Sequence, residues 1–317
     1  MTAVLAVVGP TASGKTALAI ELAERLGTEV ISADSMQVYR GMEIGTAAPT
    51  ANEQARAPHH FVGILEPDEQ FTAGRFGDEA RAIVERLNRE GRVAVVVGGS
   101  GLYVRALIDG LFPGPGKDSV FRERLQLEAD LKGVGALYTR LREVDPDYAA
   151  IIQPTDLRRI IRGLEVYERT GTPLSKLHRE HRDESMSLDA VQVALNYPRQ
   201  VLYDRIDARV DRMLEAGFVD EVKRLLEGGR AKRLFELRTL GYREFAAYLR
   251  GEQAFEEARE AMKRNTRRFA KRQLSWFRAD PRIHWLTAAA DSRPEAFVKA
   301  VLDRISPADP HPPWRRL

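Results

Sequence analysis

The first hundred residues switch repeatedly between strand-like and helix-like hydrophobic patterns. Residues 3–8 (AVLAVV) are an apolar run of strand length, and residues 18–27 (LAIELAERLG) place apolar side chains at helical spacing before a glycine. Residues 28–34 (TEVISAD) and 92–99 (RVAVVVGG) predict two more strands, and residues 72–90 predict a helix between them. Because these strands lack a polar face and alternate with helices, we expect a parallel sheet covered by helices on both sides.

This pattern breaks at residues 111–119 (LFPGPGKDS), where proline and glycine accumulate. From there to about residue 183 the hydrophobic spacing is helical and predicts no strand. Strand character returns at residues 191–196 (VQVALN), and residues 282–286 (RIHWL) predict one last short strand. The chain should therefore contain an α/β core interrupted by a helical segment.

We expect this core to span residues 1–117 and 184–304, the second part ending in helices. The helical insertion is expected over residues 118–183. The proline-rich tail, residues 305–317, is expected to be flexible.

A long helix is predicted over residues 254–278. At about 100° per residue its apolar side chains fall on one face, which we expect to lie in the core rather than in a ligand pocket. These residues are Phe255, Ala258, Met262, Phe269 and Trp276. The other side carries Lys263, Arg264, Arg267, Arg268, Lys271 and Arg272. We expect this basic side to follow a nucleic-acid backbone, although it would also be compatible with a solvated face.

The composition excludes several classes of site and of protein. The chain contains no cysteine, which excludes disulfides, iron–sulfur clusters and thiolate zinc sites. Its longest apolar runs, at residues 3–8 and 93–97, are too short to cross a bilayer. The first run lacks a basic leader and leads straight into a glycine-rich turn, which does not fit a signal peptide. We expect a monomeric cytoplasmic protein with no membrane contact.

Positive charge is concentrated in two segments. Residues 158–182 contain seven Lys and Arg against three Glu, and residues 259–278 contain eight against Glu260 alone, while the whole chain has a net charge of only +3. The remainder of the chain is therefore acidic. Such a distribution is typical of a surface that binds a polyanion, although either segment alone could be a solvated face.

The strongest motif follows the first predicted strand and opens the first helix. Gly9, Pro10, Thr11, Ala12, Ser13, Gly14, Lys15 and Thr16 match the pattern G-x-x-x-x-G-K-[ST]. Its glycines allow backbone N–H groups to surround phosphates, Lys15 adds a positive charge, and Thr16 can ligate Mg²⁺. This motif predicts a diphosphate-binding loop and a P-loop NTPase-like α/β sheet, with Mg²⁺ as cofactor.

Most P-loops bind ATP or GTP, so a small-metabolite kinase is the first alternative. The usual second motif, an apolar strand that ends in Asp, is missing because residues 93–97 run into Gly98, Gly99 and Ser100. The available carboxylate is instead Asp34, after the second predicted strand. Strand carboxyl ends line the ligand crevice of such sheets, so we expect Asp34 to face the P-loop. Asp34 could also be an ordinary helix N-cap.

Seven segments, in order along residues 4–286, resemble the tRNA dimethylallyltransferase family, also called tRNA isopentenyltransferases. They are GPTASGKT (9–16), ISADSMQVYRGMEIGTAAP (31–49), APHH (57–60), VGGSGLYVRAL (97–107), DLRRIIRGLEVYERTG (156–171), LGYREF (240–245) and AKRQLSWFR (270–278). The lack of cysteine fits the shorter bacterial type, since eukaryotic relatives often carry a zinc finger.

The resemblance implies transfer of a dimethylallyl group from its diphosphate to N6 of adenosine 37, beside the tRNA anticodon. It implies that Lys15 and Thr16 assist at the diphosphate and that Asp34 acts as the base. The segments that it implies contact tRNA comprise Asp34, Ser35, Met36, Gln37, Ser100, Arg158, Arg159, Ile160, Ile161, Arg162, Leu240, Gly241, Tyr242 and Arg243. Ser100 departs from the Thr usual in this family but keeps the hydroxyl.

Transfer of an allylic group to an adenine amine requires both a base and groups that bind the diphosphate. The lone pair of the adenine N6 amine is delocalised, so attack on an allylic carbon needs a base and a stabilised leaving group. A stacked adenine must also be flipped out, which costs less in a single-stranded loop such as the anticodon loop. Two further alternatives remain: a prenyltransferase acting on free adenine nucleotides, and a non-catalytic RNA-binding module that retains a P-loop.

The histidines receive no catalytic role. His59 and His60 lack an acidic partner at ligand spacing, and His178 and His181 lie in a basic segment that would repel a metal ion. We expect structural roles for His59 and His60, and RNA contact or plain solvation for His178 and His181.

Overall fold

The computed structural model describes residues 3–184, 187–229 and 239–305. Within them, six strands form one parallel sheet in the order β3-β2-β4-β1-β5-β6. The strands are β1 (Val4–Val8), β2 (Val30–Ser32), β3 (His59–His60), β4 (Ala94–Gly98), β5 (Ala190–Asn196) and β6 (Ile283–Thr287). The α/β class with a parallel sheet is therefore confirmed. The hydrophobic pattern does not predict β3, because a pair of histidines carries no apolar run.

The chain divides into two compact units. Unit 2 covers Asp109–Ser187, and unit 1 comprises the chain before and after it. The helices of unit 1 that precede unit 2 are α1 (Lys15–Leu26), α2 (Glu43–Thr46), α3 (Ala51–Arg56), α4 (Ala73–Arg89) and α5 (Gly101–Ile108). Helix α4 begins as expected after Thr72, whose side chain accepts a hydrogen bond from the N–H of Arg75.

Helices make up the regular structure described in unit 2: α6 (Ser119–Lys132), α7 (Val134–Val144), α8 (Pro146–Ala150), α9 (Leu157–Thr170) and α10 (Leu174–Glu184). The unit begins before residue 118 because Phe112 packs on its core and the carbonyls of Pro115 and Gly116 accept hydrogen bonds from Arg162 and Arg169. These contacts attach the proline- and glycine-rich segment to helix α9.

Unit 1 continues with α11 (Arg199–Glu215), α12 (Phe218–Glu227), α13 (Tyr242–Leu249), α14 (Phe255–Arg278) and α15 (Glu295–Ile305). Residues 306–317, most of the expected tail, lie outside the described residues. The sheet is covered on both faces: Val4, Ala6 and Val8 of β1 pack in one cluster, while Leu5 and Val7 pack in another. All five residues are fully buried, which explains the continuous apolar run in the sequence.

The prediction that all the apolar side chains on one face of the long helix α14 are buried is wrong in part. Ala258 and Met262 are buried, but Phe255 and Trp276 are 37% and 41% exposed. Phe255 packs at the margin against the rings of Phe245 and Tyr248. The remaining buried positions of α14 are Lys263, Ala270, Gln273 and Phe277. Small and polar residues thus occupy part of the buried face, which a count of large apolar side chains misses.

Candidate active site

The loop between β1 and α1 has the conformation that the glycine motif predicts. Gly9 and Gly14 have φ values of 134° and 81°, in the region that side chains disfavour, and Ala12 also has a positive φ of 63°. Helix α1 begins directly after Gly14, and no side chain caps its N-terminus. The N–H groups of its first turn, with the positive end of the helix dipole, therefore suit an anion.

Two half-buried cations, Lys15 and Arg209, and one carboxylate, Asp34, lie beside this loop. The Lys15 ammonium donates a hydrogen bond to the carbonyl of Pro10 at 3.2 Å. Burial first, and then the Arg209 charge, lower the pKa of Lys15, the Asp34 charge opposes both effects, and the net result is a pKa of about 8. Burial also lowers the pKa of Arg209, which Asp34 again opposes. Two desolvated cations against one carboxylate form a site that a phosphate anion would neutralise.

Lys15, Thr16 and Arg209 line both of two cavities of unit 1, and Asp34 lines the smaller one. The smaller cavity, about 290 Å³, contains the P-loop residues Thr11, Lys15 and Thr16 together with Asp34, Ser35, Met36, Gln37, Ser100 and Leu240. The larger cavity, about 1140 Å³, is lined by Ala12 and Gly14 and by three arginines of α11, which are Arg205, Arg209 and Arg212. Asp34 therefore lies at the P-loop, as the sequence indicates.

Asp34 is held in place by its own loop. Its Oδ1 accepts a hydrogen bond from the N–H of Met36 at 2.9 Å, and the N–H of Ser35 donates to the hydroxyl of Ser100 at 3.0 Å. The side chain of Gln37 accepts from the Ser32 hydroxyl and donates to the carbonyls of Thr46 and Ala47. Residues 35–38 form a turn and the next helix begins at Glu43, so Asp34 is not the N-cap of a helix; it orders its own turn and lines the cavity.

The absence of an acidic residue after β4 has a steric cause. A Cβ added to Gly98 would lie 2.1 Å from the carbonyl oxygen of Ala33, and one added to Gly99 would lie 2.2 Å from Nε2 of Gln273. Neither position can carry a side chain without moving its neighbours. An acidic side chain at Gly98 would therefore displace the backbone of Ala33, and one at Gly99 would displace the side chain of Gln273.

Three residues near the P-loop escaped the sequence prediction. Gln273 of α14 accepts a hydrogen bond from the N–H of Thr11 and donates one to the carbonyl of Gly99. Arg205 donates to the carbonyl of Ala12, and Arg209 donates to the carbonyl of Thr46. The spacing of Arg205, Arg209 and Arg212 on one face of α11 is a signal that could have indicated the arginines. No local pattern indicates Gln273.

The predicted tRNA segment of unit 2, residues 158–162, divides into an outer and an inner set. Arg158 and Arg159 are exposed, whereas Ile160 and Ile161 are buried in the core of the unit. Arg162 donates to the buried carboxylate of Glu165 at 2.7 Å, as well as to Pro115. The isoleucines and Arg162 therefore have structural contacts, and only the first two arginines present exposed side chains to a polyanion.

The segment over residues 240–243 divides in the same way. Leu240 lines the smaller cavity, and the N–H of Gly241 donates to Glu244. The Tyr242 ring is buried, and its hydroxyl donates to Glu221 at 2.7 Å and contacts the carbonyl of Met42. Arg243 is exposed. Tyr242 therefore has a structural role, and Arg243 is the residue of this segment whose side chain is accessible to solvent or RNA.

Two of the six cations on the basic side of α14 are already paired within unit 1. Lys263 and Arg267 make ion pairs with Asp211 and Asp207 of α11. Arg264, Arg268 and Lys271 are exposed and have no acidic partner among the residues that the structure describes. Arg272, also exposed, lines the smaller cavity, as do Phe269 and Met262. The expectation that the apolar side of α14 lines no pocket is therefore wrong for Met262 and Phe269.

The histidines have the structural roles expected of them in unit 1. His59 contacts the carbonyl of Ala57, and His60 contacts the carboxylate of Glu29 at 2.7 Å. In unit 2, the ring of His178 packs beside Phe112 and Tyr148. Over the described ranges, no group of three or more His, Asp or Glu side chains could hold a metal ion, and no helix is suited to span a membrane.

Known proteins are similar to this chain in both sequence and fold. The model of the IPP transferase family matches residues 37–280. A tRNA dimethylallyltransferase of Syntrophobacter fumaroxidans is 49% identical over 90% of this chain and 84% of its own. The full-length tRNA isopentenylpyrophosphate transferase of Bacillus halodurans superposes with a TM-score of 0.70 at 40% identity, covering 96% and 95% of the two chains. A eukaryotic dimethylallyltransferase acting on tRNA superposes with a TM-score of 0.82 at 29% identity, covering 96% of this chain and 80% of its own.

Proposed function

The chain belongs to the IPP transferase family, and we propose that it transfers a dimethylallyl group from dimethylallyl diphosphate to N6 of an adenosine in tRNA. The observation that supports this most directly is the smaller cavity, which contains Lys15, Thr16 and Asp34 together. The P-loop and the carboxylate of Asp34 border one space, and substitution at an allylic diphosphate by an amine requires an anion-binding group and a base near each other.

On the donor side, the P-loop backbone, Lys15 and Arg209 would bind the diphosphate. Their positive charges oppose the negative charge that grows on the leaving group, and the low-dielectric setting strengthens this effect. Thr16 lines both cavities, and its hydroxyl could be one ligand of an Mg²⁺ ion that takes its other ligands from diphosphate and water. Bound there, the ion would further neutralise the departing diphosphate.

On the acceptor side, Asp34 would take the proton from N6 as that nitrogen attacks the allylic carbon. Its Oδ1 already accepts the N–H of Met36, so the carboxylate is oriented before the substrate arrives. The adenine must leave its stack to reach this cavity, and the unpaired anticodon loop lowers the cost of that step. We infer adenosine 37 as the target, and we expect the protein to act as a cytoplasmic monomer.

For tRNA binding we propose the exposed cations of each unit. They are Arg158 and Arg159 in unit 2 and Arg243, Arg264, Arg268 and Lys271 in unit 1. Contacts of this kind position the RNA without reading its sequence, and they weaken as salt concentration rises.

The test is transfer of label from radiolabelled dimethylallyl diphosphate to unmodified tRNA in the presence of Mg²⁺. Parallel reactions contain AMP as the acceptor or ATP as the only donor. Label in tRNA is the expected result. Label in AMP alone would indicate the free-nucleotide reaction, and phosphorylation with ATP would return a kinase to consideration.

A further inference from the structure

The side chain of Gln273 bridges two loops of the active site. It is 6% exposed and lies on α14, facing the smaller cavity. Its Oε1 accepts the N–H of Thr11 in the P-loop at 2.9 Å, and its Nε2 donates to the carbonyl of Gly99 after β4 at 3.0 Å. One amide thus satisfies two backbone groups from segments that are far apart in the sequence.

The residue type at this position matters because the two contacts have opposite polarity. One backbone group is a donor and the other an acceptor, and an uncharged amide offers one of each at a fixed angle. The room for the amide comes from Gly99, where a Cβ would lie 2.2 Å from Nε2. A carboxylate could accept from Thr11 but would face the carbonyl of Gly99 without a proton between them.

The bridge continues to the base. Ser100 follows Gly99, and its hydroxyl accepts the N–H of Ser35, the neighbour of Asp34. The N–H of Ser100 also donates to the carbonyl of Ala33 at 3.2 Å, a second hydrogen bond between the same two loops. Gln273 therefore connects the loop that would hold the diphosphate to the loop that carries Asp34.

We propose that Gln273 is a positioning residue that sets the separation between the P-loop and Asp34. This inference rests on the proposed function, because the separation matters only if a donor on the P-loop reacts with an acceptor activated by Asp34. A displacement of about 1 Å in such an arrangement costs roughly 10²-fold in rate. The loss should appear in kcat, since the groups that bind each substrate remain.

Two variants of Gln273 test whether both of its hydrogen bonds, one accepted and one donated, are needed. Gln273→Met removes both hydrogen bonds at similar volume and should lower kcat by about 10- to 100-fold, with much smaller changes in KM for either substrate. Gln273→Glu should be equally impaired at neutral pH. When its buried carboxyl is protonated it can again accept from Thr11 and donate to Gly99, so its kcat relative to the native protein should recover as pH falls. Gln273→Met should show no such recovery.

Ser275→Ala is the matched control, because Ser275 lies on the exposed side of α14 and its hydroxyl donates to the carbonyl of Lys271 on the same helix. Hydrogen exchange provides a readout that needs no substrate. In Gln273→Met the amides of Thr11 and Ser35 should both exchange faster than in the native protein. Unchanged kcat in this variant, or loss without pH recovery in Gln273→Glu, would overturn the proposal.

The exchange measurement also separates this proposal from the proposed function. Faster exchange at both loops in a protein that transfers no label would reject the reaction but retain the bridge. Normal transfer by the native protein with exchange unchanged at both loops would reject the bridge alone.

Discussion

The P-loop of unit 1 was predicted from its motif and residues 158–162 of unit 2 from the family resemblance, and the two sets of side chains differ in what they contact. Around the P-loop, the predicted residues Lys15, Thr16 and Asp34 line one cavity. Along residues 158–162, only Arg158 and Arg159 are exposed, while the other three side chains have structural contacts.

The difference follows from backbone geometry. A loop with positive φ values at Gly9 and Gly14 can direct consecutive N–H groups toward one point. A helix turns 100° per residue, so five consecutive residues span more than one full turn and cannot share a face. A matched motif on a glycine loop therefore indicates most of its residues, whereas a matched motif on a helix mixes contact residues with core residues.

Loss of the base should have the largest effect. Asp34→Asn keeps an oxygen that can accept the N–H of Met36, so the loop should retain its conformation, but an amide cannot take the proton from N6. We expect single-turnover transfer to fall by about 10²- to 10⁴-fold while tRNA affinity, measured by filter binding, stays close to that of the native protein. An equal collapse of tRNA affinity would make Asp34 mainly a binding residue.

Loss of Arg209, which is half-buried, should have the next largest effect. Arg209→Met should weaken equilibrium binding of labelled dimethylallyl diphosphate by about 10- to 100-fold, since hydrogen bonds to a charged group contribute roughly 1.5–3 kcal/mol. The matched control is Arg199→Met, because Arg199 is an exposed arginine of the same helix that lines neither cavity. Equal donor affinity in the two variants would exclude Arg209 from the diphosphate site.

In unit 2, loss of a cation that pairs with the buried Glu165 should lower the stability of the fold. Glu165 is fully buried, which by itself raises its pKa, but hydrogen bonds from Arg122, the N–H of Asp118 and Arg162 hold that pKa at about 2. Since this is below the usual 4.5, the ionised Glu165 stabilises the fold above pH 4.5, and that stabilisation is lost as pH falls toward 2.

Arg162→Ala should therefore lower the free energy of unfolding by about 1.5 kcal/mol at pH 7 and move acid unfolding to higher pH. Urea titrations at pH 3, 5 and 7, with Arg158→Ala as the exposed control, provide the measurement. If Arg162→Ala matched the control in stability and lost only tRNA affinity, the division between core and contact residues would be wrong.

The smallest effect should come from the exposed pair. Arg158→Ala and Arg159→Ala should each leave stability unchanged and weaken tRNA binding. The slope of log K against log salt should fall by about 0.7–0.9 for each phosphate that the variant no longer neutralises. Fluorescence anisotropy over a salt series would show this. An unchanged slope in the double variant would remove this surface from the RNA-binding interface.

The sequence alone determined the features that depend on neighbouring residues. Hydrophobic period indicated β1, β2, β4, β5 and β6 and the helical character of unit 2, because strand and helix direct side chains with different spacing. The P-loop pattern and the position of Asp34 at the end of a strand indicated the candidate site, because strand carboxyl ends meet at one edge of a parallel sheet.

Only the tertiary structure decided which distant residues complete that site and which face of each helix is buried. Gln273 contacts Thr11 across 262 residues of sequence, and Arg209 reaches the cavity from a helix that follows unit 2 in the sequence. Phe269 was expected in the core but lines the cavity. The burial of Ala270 and Gln273 in place of Trp276 depends on how α14 packs. Periodicity describes one element at a time, whereas these contacts depend on how the elements pack together.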